Sequence, residues 1–166
     1  MYRKDKSADL ALTSYELLKV SSLAFSHKKF IPYRYTCDGS NVNPPILIEH
    51  IPEHTKDLAL IMEDMDNFSG RWVVWNIPVP TNQTSFLIEE NTIPGVQGLT
   101  DFGTSNYSGP CCSKAIHRYI FTLYALDKKL DLPPSTTKDQ LEIAIQPHII
   151  GLGELIGVYQ RNMWAK

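Results

Sequence analysis
Between positions 101 and 119 the chain reads DFGTSNYSGPCCSKAIHRY, and this stretch gathers side chains that could do chemistry. Ser108-Gly109-Pro110 should turn sharply, because glycine accepts backbone geometries that other residues resist, while proline fixes φ and removes a donor. HRYIFTLYAL follows at once and reads as a strand from its aromatic and apolar content. Alternation along that strand puts His117, Tyr119, Phe121 and Leu123 on one face. A tight turn that offers backbone N–H groups beside an imidazole and a phenol would make one wall of a small polar pocket. The plainer reading of the same residues is a loop-to-strand junction with a hydrogen-bonded histidine.

The cysteines add a second line of chemistry. Cys111 or Cys112 with His117 would make a nucleophile–base pair for hydrolysis. Cys37, Cys111, Cys112 and His117 would make a metal set, although adjacent cysteines lack the usual CxxC spacing. Free, half-buried thiols or one disulfide from Cys37 are the ordinary alternatives.

These groups must be positioned by a chain of 166 residues, long enough for one domain with a sizeable core. Its 43% hydrophobic and 20% charged residues match an ordinary globular protein. A net charge of −2 gives no electrostatic reason to expect nucleic acid or a membrane surface as a partner. Three cysteines do not close a disulfide framework, which favours a reducing compartment. No run approaches the roughly 18 apolar residues of a membrane span, and the first residues lack the apolar core of a signal peptide. The cytoplasm is the expected location.

Residues 1–16 are polar and weakly patterned and read as an extension, with 17–166 as a single domain. Residues 17–25 alternate loosely as a first strand, and 31–45 are rich in turn residues. A short strand is expected at 46–48. DLALIME at 57–63 is apolar on both faces, as a central strand would be, and WVVWNI at 72–77 is strongly β-prone up to Pro78. Residues 78–116 show little regular pattern, and a connection of that length is usually functional. After the strand at 117–126, Thr137 and Gln140 form a capping box for a helix that Pro147 should end or kink. IIGLGELIGVY at 149–159 reads as a final strand. Mostly antiparallel strands with one late helix predict a mainly β, sandwich-like fold with helical additions.

Several separated segments carry a resemblance to a known family. YTCDGSNVNPP at 35–45, LALIMEDMD at 58–66, WNIP at 75–78, DFG at 101–103, GPC at 109–111, HRYIFTLYALD at 117–127 and GELIGVYQR at 153–161 occur in order. Over residues 18–161 the chain resembles the phosphatidylethanolamine-binding protein family, in its bacterial and archaeal branch of Raf-kinase-inhibitor-like proteins. The resemblance implies two antiparallel sheets packed as a sandwich with peripheral helices, and a small anion pocket at an edge of the larger sheet. It also implies a non-catalytic binder of phosphorylated head groups, with a kinase or protease as a further target and a homodimer as an assembly. No cofactor or metal is implied.

Carried over by residue, Asp64 and Asp66 match the aspartates of the family's Asp-Pro-Asp motif, with Met65 in place of the proline. Gly109 and Pro110 match the start of the pocket loop, His117 the pocket histidine, and Arg118 and Tyr119 the rest of His-Arg-Tyr. Two departures stand out. Cys112-Ser113 replaces a Pro-Pro pair, and Arg71 occupies the place of a second pocket histidine after a loop shortened by about three residues. The expected ligand-binding set is therefore Asp64, Asp66, Arg71, Gly109, Pro110, His117 and Tyr119. A phosphate ester would take backbone N–H groups at Gly109, an imidazolium at His117 and a guanidinium at Arg71. Asp64 would orient His117 or accept from a ligand ammonium, Asp66 would cap its own loop or join the site, and Tyr119 would line the pocket or pack in the core. Arg71 would point into the pocket or pair with a surface carboxylate.

Overall fold
A computed structural model of the chain describes residues 15–111 and 114–161. Its strands are β1 (Glu16–Leu17), β2 (Lys19–Ser21), β3 (Lys29–Phe30), β4 (Ile46–Glu49), β5 (Asp57–Asp64), β6 (Ser69–Pro78), β7 (Phe86–Ile88), β8 (Val96–Gln97), β9 (His117–Leu126) and β10 (Ile149–Tyr159). The helix α1 (Lys138–Ile145) precedes β10. A seven-stranded sheet runs β1-β10-β9-β5-β6-β8, with β3 also paired to β10, and a three-stranded sheet runs β2-β4-β7. Pairing is antiparallel except where β1 and β3 lie parallel to β10. The mainly β, two-sheet architecture expected from the pattern is the one observed.

Alternation along β5 explains why that strand is apolar on both faces. Leu58, Leu60 and Met62 enter the core with Leu18, Val20, Ile46 and Ile48 of the small-sheet side. Ala59 and Ile61 enter a second core with Leu141 and Ile145 of α1. The central strand is thus covered by a sheet on one side and a helix on the other, so neither set of side chains can be polar. On β9, Tyr119, Phe121 and Leu123 share the first core, as alternation from His117 requires.

The N-terminal strand differs from its expected form. Residues 17–25 do not make one strand: β1 joins the large sheet, β2 joins the small one, and Leu18 is the buried crossover between them. Its N–H donates to Leu152 O at 3.0 Å before the chain changes sheet. The connection from 78 to 116 is also less irregular than its sequence suggests, because it contains β7 and β8. Residues 1–14 of the expected extension lie outside the described residues, and Glu16 already belongs to β1.

The start of α1 follows the capping-box pattern. Gln140 N donates to Thr137 Oγ1 at 3.3 Å, and Thr137 N donates to Gln140 Oε1 at 3.0 Å. Both satisfy donors that the first turn would otherwise leave unpaired. Pro147 falls in a 3-10 turn, Gln146–His148, that ends the helix before β10. Thr137→Ala should therefore lower the unfolding free energy by about 1 kcal/mol while Thr137→Ser stays near the parent, a difference that urea unfolding measures directly.

Candidate functional site
At one end of the large sheet, the β5–β9 register sets Asp64 opposite Tyr119. His117, two residues earlier on β9, therefore lies diagonally across from Asp64 on the same face. Asp64 Oδ2 stands 2.6 Å from His117 Nδ1, with the Asp64 side chain 1% exposed and that of His117 22% exposed. The second carboxylate oxygen accepts from Asp66 N at 2.8 Å, which fixes the turn after β5. Asp64 thus orients the imidazole through Nδ1 and leaves its Nε2 side directed away from the carboxylate.

Asp66 takes the structural role. Its Oδ2 accepts from Arg118 N at 2.7 Å, and its Oδ1 accepts from Arg118 Nη2 at 2.9 Å. Met65 N also donates to Arg118 O at 2.8 Å. The Asp66 carboxylate therefore ties the turn after β5 to the start of β9. The hydrogen bonds from the Arg118 side chain and its backbone N–H hold the Asp66 carboxyl below the usual aspartate range.

Arg71 owes its direction to a bulge. Met62 pairs with Trp72 and Glu63 with Gly70, so Arg71 is an extra residue on β6 with no partner on β5. A bulge breaks the alternation and re-aims the side chain it contains. Here it turns Arg71 toward Tyr119, the face that Trp72 also occupies. Arg71 is 6% exposed. Its Nη1 donates to Gly109 O at 2.7 Å, with Ser108 O at 3.5 Å. Its Cζ lies 4.7 Å from the Phe102 ring centre and 5.8 Å from that of Tyr119. Among the described residues it has no carboxylate partner, and its buried Nε makes no hydrogen bond. Arg71 is thus buried against the Gly109 carbonyl and does not pair with a surface carboxylate among the described residues.

The pocket loop corrects one expectation. Gly109 does not offer its N–H outward: that group donates to Asn41 Oδ1 at 2.9 Å, and its carbonyl faces Arg71. Pro110 O accepts from Cys37 N at 3.0 Å. Both residues are buried, and these groups are committed to protein partners, so the loop acts as a support for Arg71 rather than as a row of free donors. Gly109 is glycine for packing, since a Cβ there would strike Tyr35 O and come within 2.6 Å of Asn41 Oδ1.

Several contributors were not singled out in the sequence. Asn41, with φ 58°, reaches the loop from 68 residues away. Tyr107 packs edge-on against Trp72 at 5.4 Å and donates its hydroxyl to Tyr35 O at 2.8 Å. Phe102, 53% exposed, forms the outer cover of the guanidinium. The DFG signature marked that turn, in which Gly103 has φ 75°, but nothing in it disclosed that the phenylalanine would lie over Arg71.

Cys37 and Cys111 form a disulfide, one of the two ordinary readings of the cysteines. With both sulfurs bonded, Cys111 has no thiolate for attack, and neither residue can serve the metal set. Cys112 lies outside the described residues. His117 and Arg71 both lie near one buried ring, with His117 centred 6.4 Å from Tyr119 and Arg71 Cζ 5.8 Å from it. The groups near this ring are thus an oriented imidazole and a buried guanidinium.

Comparison with known proteins agrees with this architecture. The family model described as phosphatidylethanolamine-binding protein matches residues 21–160. The chain belongs to that family, and its relatives place it in the bacterial and archaeal part. A UPF0098 protein of Pyrococcus abyssi is 43% identical over 156 residues, covering 89% of this chain and 87% of the relative. One from Methanothermobacter thermautotrophicus is 41% identical over 153 residues, covering 87% and 100%. A crystal structure of a phosphatidylethanolamine-binding protein homologue from Chlamydia trachomatis superposes with a TM-score of 0.79 at 36% identity, covering 87% of this chain and 98% of that one. Escherichia coli YbcL shares the fold, with a TM-score of 0.76 at 23% identity over 86% and 98% of the two chains.

Two substitutions probe the frame. Gly109→Val should destabilise the protein by about 2 kcal/mol or more, through collision with the Tyr35 carbonyl, as thermal unfolding will register. For Asp66, a folded-state carboxyl pKa below the unfolded one adds stability above the unfolded value, and that stability is lost as pH falls through the folded value. Asp66→Asn should therefore cost about 0.5–1 kcal/mol at neutral pH, with the gap from the parent closing below about pH 4 in urea titrations.

Proposed function
We propose that this chain is a non-catalytic binding protein for small phosphate-type anions, with Arg71 and His117 as the principal donors and Asp64 as the orienting carboxylate. The observation that carries this reading is the buried Arg71 guanidinium, which has no carboxylate partner among the described residues. Burying a cation costs several kcal/mol unless polar partners replace its water. The Gly109 and Ser108 carbonyls and the faces of Phe102 and Tyr119 replace only part of it, and Nε is left without an acceptor. An oxyanion supplies the missing charge and acceptor together, in a geometry that suits the planar guanidinium.

His117, also beside Tyr119, supports the same chemistry. With Nδ1 held by Asp64, its remaining ring nitrogen is the one available to a ligand oxygen. Phe102 is the exposed side of the enclosure, so the ligand approaches the guanidinium from that side. Among the described residues these groups have other tasks: Asp64 serves the histidine, Asp66 serves Arg118, and Cys111 is in a disulfide. The phosphatidylethanolamine-binding protein homology supports a phosphorylated head group as the ligand class.

The guanidinium gives the site a charge that pH does not remove. A guanidinium keeps its charge across the range in which proteins usually work. Phosphoethanolamine binding, followed by calorimetry from about pH 5.5 to about pH 8.5, should persist at the alkaline end, because Arg71 keeps its charge there. Arg71→His should bind nearly as well as the parent in acid and lose almost all affinity in alkali. His117→Ala should bind more weakly than the parent. Matching profiles for the parent and Arg71→His, both folded by circular dichroism, would remove Arg71 from the site.

A further inference from the structure
The loop that holds Arg71 ends at a covalent bond that anion binding does not use. Cys111, two residues after Gly109, is bonded to Cys37, and both cysteines are only partly buried. Cys37 N donates to Pro110 O at 3.0 Å, so a hydrogen bond and the disulfide fasten the same two segments. Gly109 N is held by Asn41, while Gly109 O receives the Arg71 hydrogen bond. On the far side of the disulfide, Arg161 Nη2 stands 3.8 Å from Cys37 Sγ. Asp38 holds that guanidinium in place, at 3.0 Å from Nε and 2.9 Å from Nη2.

We infer that Cys37–Cys111 is a thiol–disulfide exchange site for a dithiol reductant, and that its redox state sets the affinity of the anion site. The second half of this inference rests on the anion-binding reading of Arg71. In the first step a reductant thiolate attacks Cys111 Sγ. A new S–S bond forms, the Cys37–Cys111 bond breaks, and its electron pair leaves on Cys37 Sγ. That sulfur departs as a thiolate beside the Arg161 guanidinium, and a neighbouring cation makes a thiolate the better leaving group. The second reductant thiol attacks its own sulfur in the mixed disulfide and releases Cys111 as a thiolate. The reductant ends as a disulfide, two electrons have passed to the protein, and the two protons the reductant gives up convert Cys37 and Cys111 to thiols through water.

Reduction leaves the sheets as they were, because the disulfide joins two segments outside the strands and neither core includes its sulfurs. What changes is the hold on the loop. In the oxidised chain the Pro110–Cys111 end is fixed covalently, and the Gly109 carbonyl is kept against Arg71. In the reduced chain that end depends on the hydrogen bonds of Cys37, Asn41 and Arg71, so the loop opens more often and the guanidinium loses its fixed aim. Loss of preorganisation lowers affinity without removing a contact from the ligand.

Calorimetry with phosphoethanolamine on the full chain, before and after dithiothreitol, tests this, with mass spectrometry confirming the state of the sulfurs. Hydrogen exchange at the amides of Cys37, Ser108 and Gly109 is measured on the same samples. Affinity should fall about fivefold or more on reduction, and these three amides should exchange faster while β5 and β9 amides do not change. The double variant Cys37→Ser/Cys111→Ser should behave as the reduced chain and ignore dithiothreitol. Equal affinity and equal exchange in the two states overturn the inference, as does a disulfide that native-state dithiothreitol cannot open. If the oxidised chain binds no anion, the reading of Arg71 fails and exchange decides the rest. Faster loop amides on reduction then support redox control of the loop, and unchanged amides overturn it.

Discussion
A buried guanidinium is the constraint around which this end of the molecule is arranged. Arg71 cannot sit at 6% exposure unless something replaces its water, and the nearest replacement is the carbonyl of Gly109. That carbonyl faces inward only because the Gly109 N–H is held by Asn41 and the following Pro110 carbonyl is held by Cys37. Gly109 can approach so closely only because it has no side chain to strike Tyr35. The pocket loop, the turn at 33–41 and the bulge in β6 are therefore one assembly, and removing any part exposes or orphans the cation.

The imidazole side of the site depends on a different device. Its histidine is placed by pairing between two central strands, β5 and β9, and its orientation is fixed by a carboxylate from the end of the first. Asp66 then locks the turn beyond β5 to Arg118, so the strand ends cannot slide without breaking two charge-assisted hydrogen bonds. The guanidinium is held by loop packing, the imidazole by strand register. Both supports adjoin Tyr119, which is fully buried.

The central strands, the helix cap and the final strand were legible because their signals are local: apolar runs, a Thr-x-x-Gln box and a proline stop. The crossover at Leu18 was not legible, since alternation through 17–25 does not reveal that the chain changes sheets. For the site, residue types pointed to His117 and the resemblance added Asp64, but their juxtaposition depends on a register that pattern alone leaves open. Arg71's inward direction depends on one extra residue in β6, and a bulge leaves no mark in composition. Gly109 was read as a donor because glycine permits close approach. The partner that uses its N–H, Asn41, stands 68 residues away, beyond the reach of local reasoning. An odd number of cysteines likewise could not say that Cys37 would pair with Cys111.

The place of β10 in the large sheet has a consequence for how the protein comes together. Gly151 and Gly153 lie against Leu18, while Gly157 lies against Ile31 and Phe25. β10 pairs with β1 at 151–152 and with β3 at 157–158, so segments from opposite ends of the described chain complete the same edge. Contacts of such long sequence separation must close a large loop before they return any stability. During synthesis, β1 and β3 must wait without their hydrogen-bonding partner until nearly all of the domain has emerged. The edge they form is thus the last to be shielded, and the nascent chain is most open to mispairing there.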